Sequence, residues 1–112
     1  MAEIEIQNAI LTYLNMRGDC FAFRVNTAGI YDPIKKVFRN PGQFSLKGTA
    51  DIIGVIQGRF LAIEVKTEKG KVSKEQEAFL MKVEKMAGLA FVARSLEGVQ
   101  NALSVLFQSK ES

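Results

Sequence analysis

Three residues near the middle of the chain have the types and spacing for metal-assisted hydrolysis. Asp51 is followed thirteen residues later by Glu64, and Lys66 stands two beyond. Two apolar runs, at 51–56 and 60–66, enclose Gln57-Gly58, a pair suited to a tight hairpin turn. With those two residues at the turn, Ile56 opposes Arg59, and counting back along both strands sets Asp51 opposite Glu64. Side chains alternate along a strand. Asp51, Ile53 and Val55 therefore share a face with Phe60, Ala62, Glu64 and Lys66, while Leu61, Ile63 and Val65 point the other way. Two carboxylates roughly 5 Å apart repel. Either one is protonated or a cation lies between them. Two carboxylates and a backbone carbonyl suit a hard divalent ion that keeps several waters. A lysine on the same face can deprotonate or orient the attacking water and stabilise developing phosphate charge. Such a set hydrolyses phosphodiesters. The plainer reading is a hairpin with three solvated surface residues, and a one-residue slip in register would part the two acids. The nearly continuous apolar runs argue instead for burial on both faces, where a carboxylate and a lysine need a reason.

Composition narrows the chemistry further. The 112 residues, 47% hydrophobic and 24% charged, suit a single domain over 1–112. There is no histidine, which removes histidine triads, histidine bases and imidazole zinc sites. Cys20 is the sole cysteine, so an intrachain disulfide and a CxxC metal site are excluded, and it reads as a small core residue. A reduced, cytoplasmic setting is expected. No apolar run approaches the ~20 residues of a membrane span, and no signal pattern opens the chain, so no membrane partner is expected. Catalysis falls to carboxylates, Lys, Ser, Thr, Tyr or Cys20, with Mg²⁺ the leading metal.

The elements that must position these residues are legible in outline. Residues 3–17 carry a helical stripe of Ile6, Ala9, Ile10, Tyr13 and Leu14, stopped by Gly18-Asp19. A short strand follows at 20–25, with Phe21 and Phe23 on one side. Residues 26–48 hold a hairpin around 32–36 and a loop, and between Arg24 and Lys47 five cations meet one anion. That excess is larger than the +3 of the whole chain. After the 51–66 hairpin, Ser73 opens a helix to residue 87, with Gln76 placed for a capping box and Gly88 to end it. A strand at 89–93 and a helix from Ser95 to Phe107, with Val99, Ala102, Leu103, Leu106 and Phe107 on one side, close the pattern. The crossover helix returns its strand parallel, so an α/β fold with a mixed central sheet is expected.

Asp51 with Glu64-Val65-Lys66 resembles the D…ExK signature of PD-(D/E)XK nucleases. Taken with EIEIQNAILTYL, FRVNTAG, GTADIIG and AIEVKTEKGKVSKEQ, the whole chain resembles the stand-alone VRR-NUC domains of phages and bacteria. The resemblance implies a restriction-endonuclease-like core of mixed sheet flanked by helices. It also implies a metal-dependent deoxyribonuclease acting as a homodimer on branched DNA, in the manner of a Holliday-junction resolvase. Asp51, Glu64 and the Val65 carbonyl would hold Mg²⁺, with Mn²⁺ as a substitute, and Lys66 would be the catalytic lysine. Ala50 stands where the name-giving pattern has proline. That proline ligates nothing, so the chemistry should survive.

Other residues have ordinary readings beside the functional one. Glu3 and Gln7 sit where the family's first helix lends an acid or amide to the site, although Glu3 also suits a helix start on dipole grounds. Gln76 is a capping residue that also lies on the buried stripe and can reach the Lys66 end of the hairpin. Arg24, Asn26, Thr27, Lys35, Lys36, Arg39 and Lys47 are the expected phosphate contacts. A charged loop is ordinarily just solvated, but this concentration next to Asp51 favours DNA. Lys69, Lys71 and Lys74 would extend that surface. Dimerisation would use the outer face of the last helix or the 26–48 hairpin. A non-catalytic DNA-binding module on the same fold, and a small structural protein with a chance D…ExK, are the rival readings.

Overall fold

The computed structural model describes residues 1–25, 30–32, 34, 37–39 and 48–107, with the backbone alone at 30–32 and 37–39. Helix α1 spans Glu3–Met16 and buries Ile6, Gln7, Ile10 and Leu14. Strand β1, Cys20–Arg24, follows after a short turn. The Asn15 side chain treats β1 as a neighbouring strand would: its Nδ2 donates to the Ala22 carbonyl at 2.9 Å and its Oδ1 accepts the Ala22 N–H at 3.0 Å. This closes part of an edge that would otherwise invite pairing. Strands β2, Ile30–Asp32, and β3, Val37–Arg39, form an antiparallel hairpin with Asp32 opposite Val37, where the sequence places it.

Strands β4, Ile52–Ile56, and β5, Arg59–Val65, are antiparallel with Ile56 opposite Arg59 and Ile52 opposite Ile63. The register is the one implied by a two-residue turn. Gln57 and Gly58 both take positive φ, 49° and 80°, which is the type I′ geometry that matches strand twist. Helix α2, Lys74–Lys85, leads to β6, Leu89–Ala93, which lies parallel to β5. Helix α3, Leu96–Phe107, ends the described chain. The sheet order is β1-β4-β5-β6, a mixed sheet in an α/β fold, as expected. The left-handed residue after α2 is Ala87 (φ 68°), not Gly88. Gly88 is needed for room instead, since a Cβ there would meet Val83 Cγ1 at 2.6 Å.

The two sheet faces are treated differently. Ile6, Ile10 and Leu14 of α1 and Val99 and Leu103 of α3 close over Ile52, Ile56, Leu61, Ile63 and Val65. Each large aliphatic side chain buried there contributes about 1.5–3 kcal/mol. On the opposite face Leu80 and Val83 of α2 pack on Ala50 and Ala62, two methyl groups that let the helix approach closely. Phe21, Phe23, Val55 and Phe60 on that same face are exposed. Leu106, expected on the core stripe of α3, is exposed as well.

Both ends of the central hairpin are pinned. At the turn, Gln57 donates its backbone N–H to the Asp19 carbonyl and its Nε2 to Asp19 Oδ2, each at 2.9 Å. Arg17 grips the same carboxylate through Nε and Nη2, and together these donors hold it down at about 2. At the far end, Gly48 runs against the first turn of α2. Its φ is +79°, and a Cβ would lie 2.3 Å from the Glu75 carbonyl carbon. Gly48→Ala therefore combines backbone strain with a clash that only backbone movement relieves, for a loss of about 2–4 kcal/mol. Urea denaturation measures it, and a change within ~0.5 kcal/mol, the range of an ordinary surface substitution, would show that α2 does not seat here.

Candidate active site

The short turn and the fixed register bring Asp51 and Glu64 to the same end of the β4–β5 hairpin. Asp51 lies one residue before β4, between two strands. Its carbonyl accepts the Val25 N–H at 2.8 Å, and its Oδ2 accepts the Val65 N–H at 2.9 Å. Glu64 lies within β5 on the face covered by α2 and is only 2% exposed. Its Oε2 accepts Gln76 Nε2 at 2.6 Å and lies 3.5 Å from Lys66 Nζ. Its Oε1 is buried and has no partner among the described residues. A carboxylate oxygen hidden from water without a donor is costly. Burial first, and the neighbouring Asp51 charge second, push the Glu64 carboxyl up to about 7, against the opposing pull of Lys66.

Gln76 joins two roles that the sequence leaves as alternatives. Its backbone N–H donates to Ser73 Oγ at 3.1 Å, and its Oε1 accepts the Ser73 N–H at 2.8 Å, completing the capping box of α2. The same side chain sends Nε2 to Glu64. Because the cap occupies the amide oxygen, the nitrogen must face the carboxylate. The helix start thus fixes which end of the amide meets Glu64.

The remaining expected residues are placed less centrally. Gln7 is buried, and its Oε1 accepts Arg24 Nε at 2.7 Å. Arg24 also donates to Asn8 Oδ1, which draws its guanidinium onto α1. Only the folded approach of β1 to α1 gives Asn8 this partner. Glu3 is exposed in the first turn of α1. Asn26, Thr27, Lys35, Lys36 and Lys47 lie outside the described residues, as does the side chain of Arg39.

One neighbour escaped the sequence reading. Arg94 follows β6 and donates Nη1 to the carbonyls of Thr67, Glu68 and Gly70, at 2.6, 3.2 and 2.7 Å. The loop it gathers passes along the stem of Lys66: a Cβ on Gly70 would touch Lys66 Cβ and Cδ at 3.4 Å. The parallel register of β5 and β6, which sets Lys66 beside Arg94, was the available signal.

These oxygens suit a cation beside Glu64. Glu64 supplies an oxygen that no other described residue satisfies, Asp51 adds a second carboxylate, and the Val65 carbonyl directly follows Glu64 in the chain. Among the described residues there is no cluster of three or more Asp, Glu, His or Cys side chains that would hold a metal unaided. Waters and substrate oxygens would have to complete the shell, as Mg²⁺ prefers.

A raised carboxyl makes metal-free stability fall as pH rises. The protonated Glu64 is favoured in the folded state, so its contribution is complete below about 4.5 and disappears as pH passes about 7. On the order of 3 kcal/mol is at stake. In EDTA, wild-type protein should melt lower at pH 8.5 than at pH ~5.5, while Glu64→Gln should flatten that difference. Equal slopes in wild type and variant would mean that Glu64 titrates normally.

Comparison with known proteins gives the family and the fold. The family model described as "VRR-NUC domain" matches residues 32–97, more than half of the chain. A solved structure described as "VRR_NUC domain protein" superposes with a TM-score of 0.64, covering 93% of this chain and 86% of that one at 15% identity. No curated protein matches in sequence. The likeness extends to a mixed sheet flanked by helices, and the matched segment contains Asp51, Glu64 and Lys66, so the chain belongs to the VRR-NUC family, within the PD-(D/E)XK nuclease superfamily.

Proposed function

We propose that the protein is a divalent-metal-dependent DNA endonuclease that cuts four-way (Holliday) junctions by phosphodiester hydrolysis, working as a homodimer. The observation that carries the reading is the Glu64 carboxylate, buried beside Asp51 and Lys66 with one oxygen unpaired among the described residues. Asp51, Glu64 and the Val65 carbonyl would hold Mg²⁺ or Mn²⁺. The bound ion would supply Lewis-acid polarisation of the phosphate and a more acidic water.

The protein's own groups do the rest. Gln76 holds Glu64 in one orientation. Lys66 stands 3.5 Å from that carboxylate, where its ammonium can orient the attacking water and offset charge on the phosphate. Gln7 acts through Arg24 by fixing its guanidinium, and Glu3 is an outer acid on the same helix. Arg24 and the basic stretch of Lys35, Lys36, Arg39 and Lys47, with Asn26 and Thr27, would track the DNA backbone.

A junction needs two symmetric cuts, which a two-fold dimer provides. The bare apolar face of β1, β4 and the start of β5, presenting Phe21, Phe23, Val55 and Phe60, supports such a partner. With Asn15 occupying the β1 edge, packing through this face is favoured over strand addition.

The decisive assay compares a labelled four-way junction with a linear duplex of matched sequence, each with Mg²⁺, Mn²⁺ or EDTA. Symmetric, metal-dependent cutting of the junction is expected, and Glu64→Ala or Lys66→Ala should lower it by at least ~10³-fold, the usual scale for transition-state charge stabilisation. Cutting of both substrates would remove the junction preference. Binding that falls steeply with salt, without cutting, would favour a DNA-binding module. Light scattering tests the dimer separately: Phe21→Glu with Phe23→Glu should yield monomers, and an unchanged dimer would place the interface elsewhere.

A further inference from the structure

The charge state of the arginines points to a residue of the DNA surface that neither the motif nor the basic loop includes. Arg17 is bound by the Asp19 carboxylate, which cancels its charge. Arg94 is held differently. All three of its acceptors, the carbonyls of Thr67, Glu68 and Gly70, are neutral, and all three engage Nη1. A guanidinium carries five N–H donors. The three on Nε and Nη2 have no partner among the described residues, and the side chain is exposed. Neither ion pair among the described residues involves it. The result is a guanidinium with no carboxylate partner among the described residues, an orientation fixed by the main chain, and three donors that no described residue takes up.

Its position gives that cation a use. Val65 and Ala93 are partners in the parallel ladder, and the Lys66 N–H donates to the Ala93 carbonyl at 3.0 Å. Arg94 is the next residue, so its backbone stands beside that of Lys66 at the strand spacing of ~5 Å. Guanidinium donors on a residue whose backbone adjoins that of Lys66 match phosphate oxygens in charge and in planar fork geometry. We propose that Arg94 binds a backbone phosphate of the DNA adjacent to the one being cut, with the 67–70 loop as the cradle that aims it. The proposal rests on the nuclease reading and adds to it a fixed anchor on the β6 side, opposite Arg24.

The test is equilibrium binding of a fluorescein-labelled four-way junction in EDTA, so that nothing is cut, across a series of salt concentrations. Wild type, Arg94→Gln and Arg94→Lys are compared, each checked for folding by circular dichroism. One phosphate contact contributes about 0.9 to the slope of log affinity against log salt. Arg94→Gln should lower the slope by that amount, and Arg94→Lys should keep it. A second measurement uses a neutral methylphosphonate one step from the cut. It should weaken wild type and Arg94→Lys alike, so this arm stands even if Arg94→Gln does not fold. An unchanged slope in Arg94→Gln, or no methylphosphonate penalty in wild type, would overturn the proposal and leave Arg94 as a loop clamp. If wild type cuts DNA in Mg²⁺ while either result holds, the nuclease reading survives without it. If wild type shows no salt-dependent binding, both fall together.

Discussion

The fold is organised around one carboxylate that water cannot reach. Glu64 lies in the interior of β5, where a side chain without partners would ionise only with difficulty. Its donor Gln76 comes from a helix, so α2 must cross β5 and β6 at short range. The small residues Ala50 and Ala62, and the absent side chain of Gly48, allow that approach. Having been placed there, α2 cannot also cover β1 and β4. The apolar face left open beside it follows from where the acid had to be buried.

Local rules account for what the sequence made legible. The turn Gln57-Gly58 fixed the hairpin register because only two residues were available to reverse the chain, and from the register came the opposition of Asp51 and Glu64. The stripe on α1 and the parallel return of β6 followed from periodicity and crossover handedness in the same way. The features that stayed hidden depend on approaches between distant segments. Asn15 meets a strand edge that nothing in its own helix announces. Leu106 fitted a helical stripe, yet it stays exposed while its neighbour Phe107 packs on the core. Gly88 looked like a helix terminator, whereas its smallness serves contact with Val83 and Ala87 takes the strained backbone.

Within the site the legible part was the motif, and the illegible part was what holds it. Gln76 offered two readings because a capping box and a buried stripe seemed to be competing explanations. The folded chain shows a single amide with two ends, one for each. Ala50 occupies the place of the family's proline and is fully buried against α2. A compact residue serves there as a floor for the helix, so its departure from the pattern leaves Asp51 and Glu64 in place. The anchoring of Arg24 by amides and of Arg94 by carbonyls has no short-range signature, because each acceptor comes from another element or loop.

The turn at Gln57-Gly58 also sets how this chain can change its length over time. One residue added there would rotate every following side chain of β5 to the other face, sending Glu64 into the α1–α3 core and Val65 toward α2. The Asp19 clamp on Gln57 would be lost in the same step. The thirteen-residue interval between the acids therefore behaves as a ruler, closed to gradual insertion or deletion. Loops that measure nothing are free of that restriction, and there lineages of this fold can lengthen, shorten and diversify.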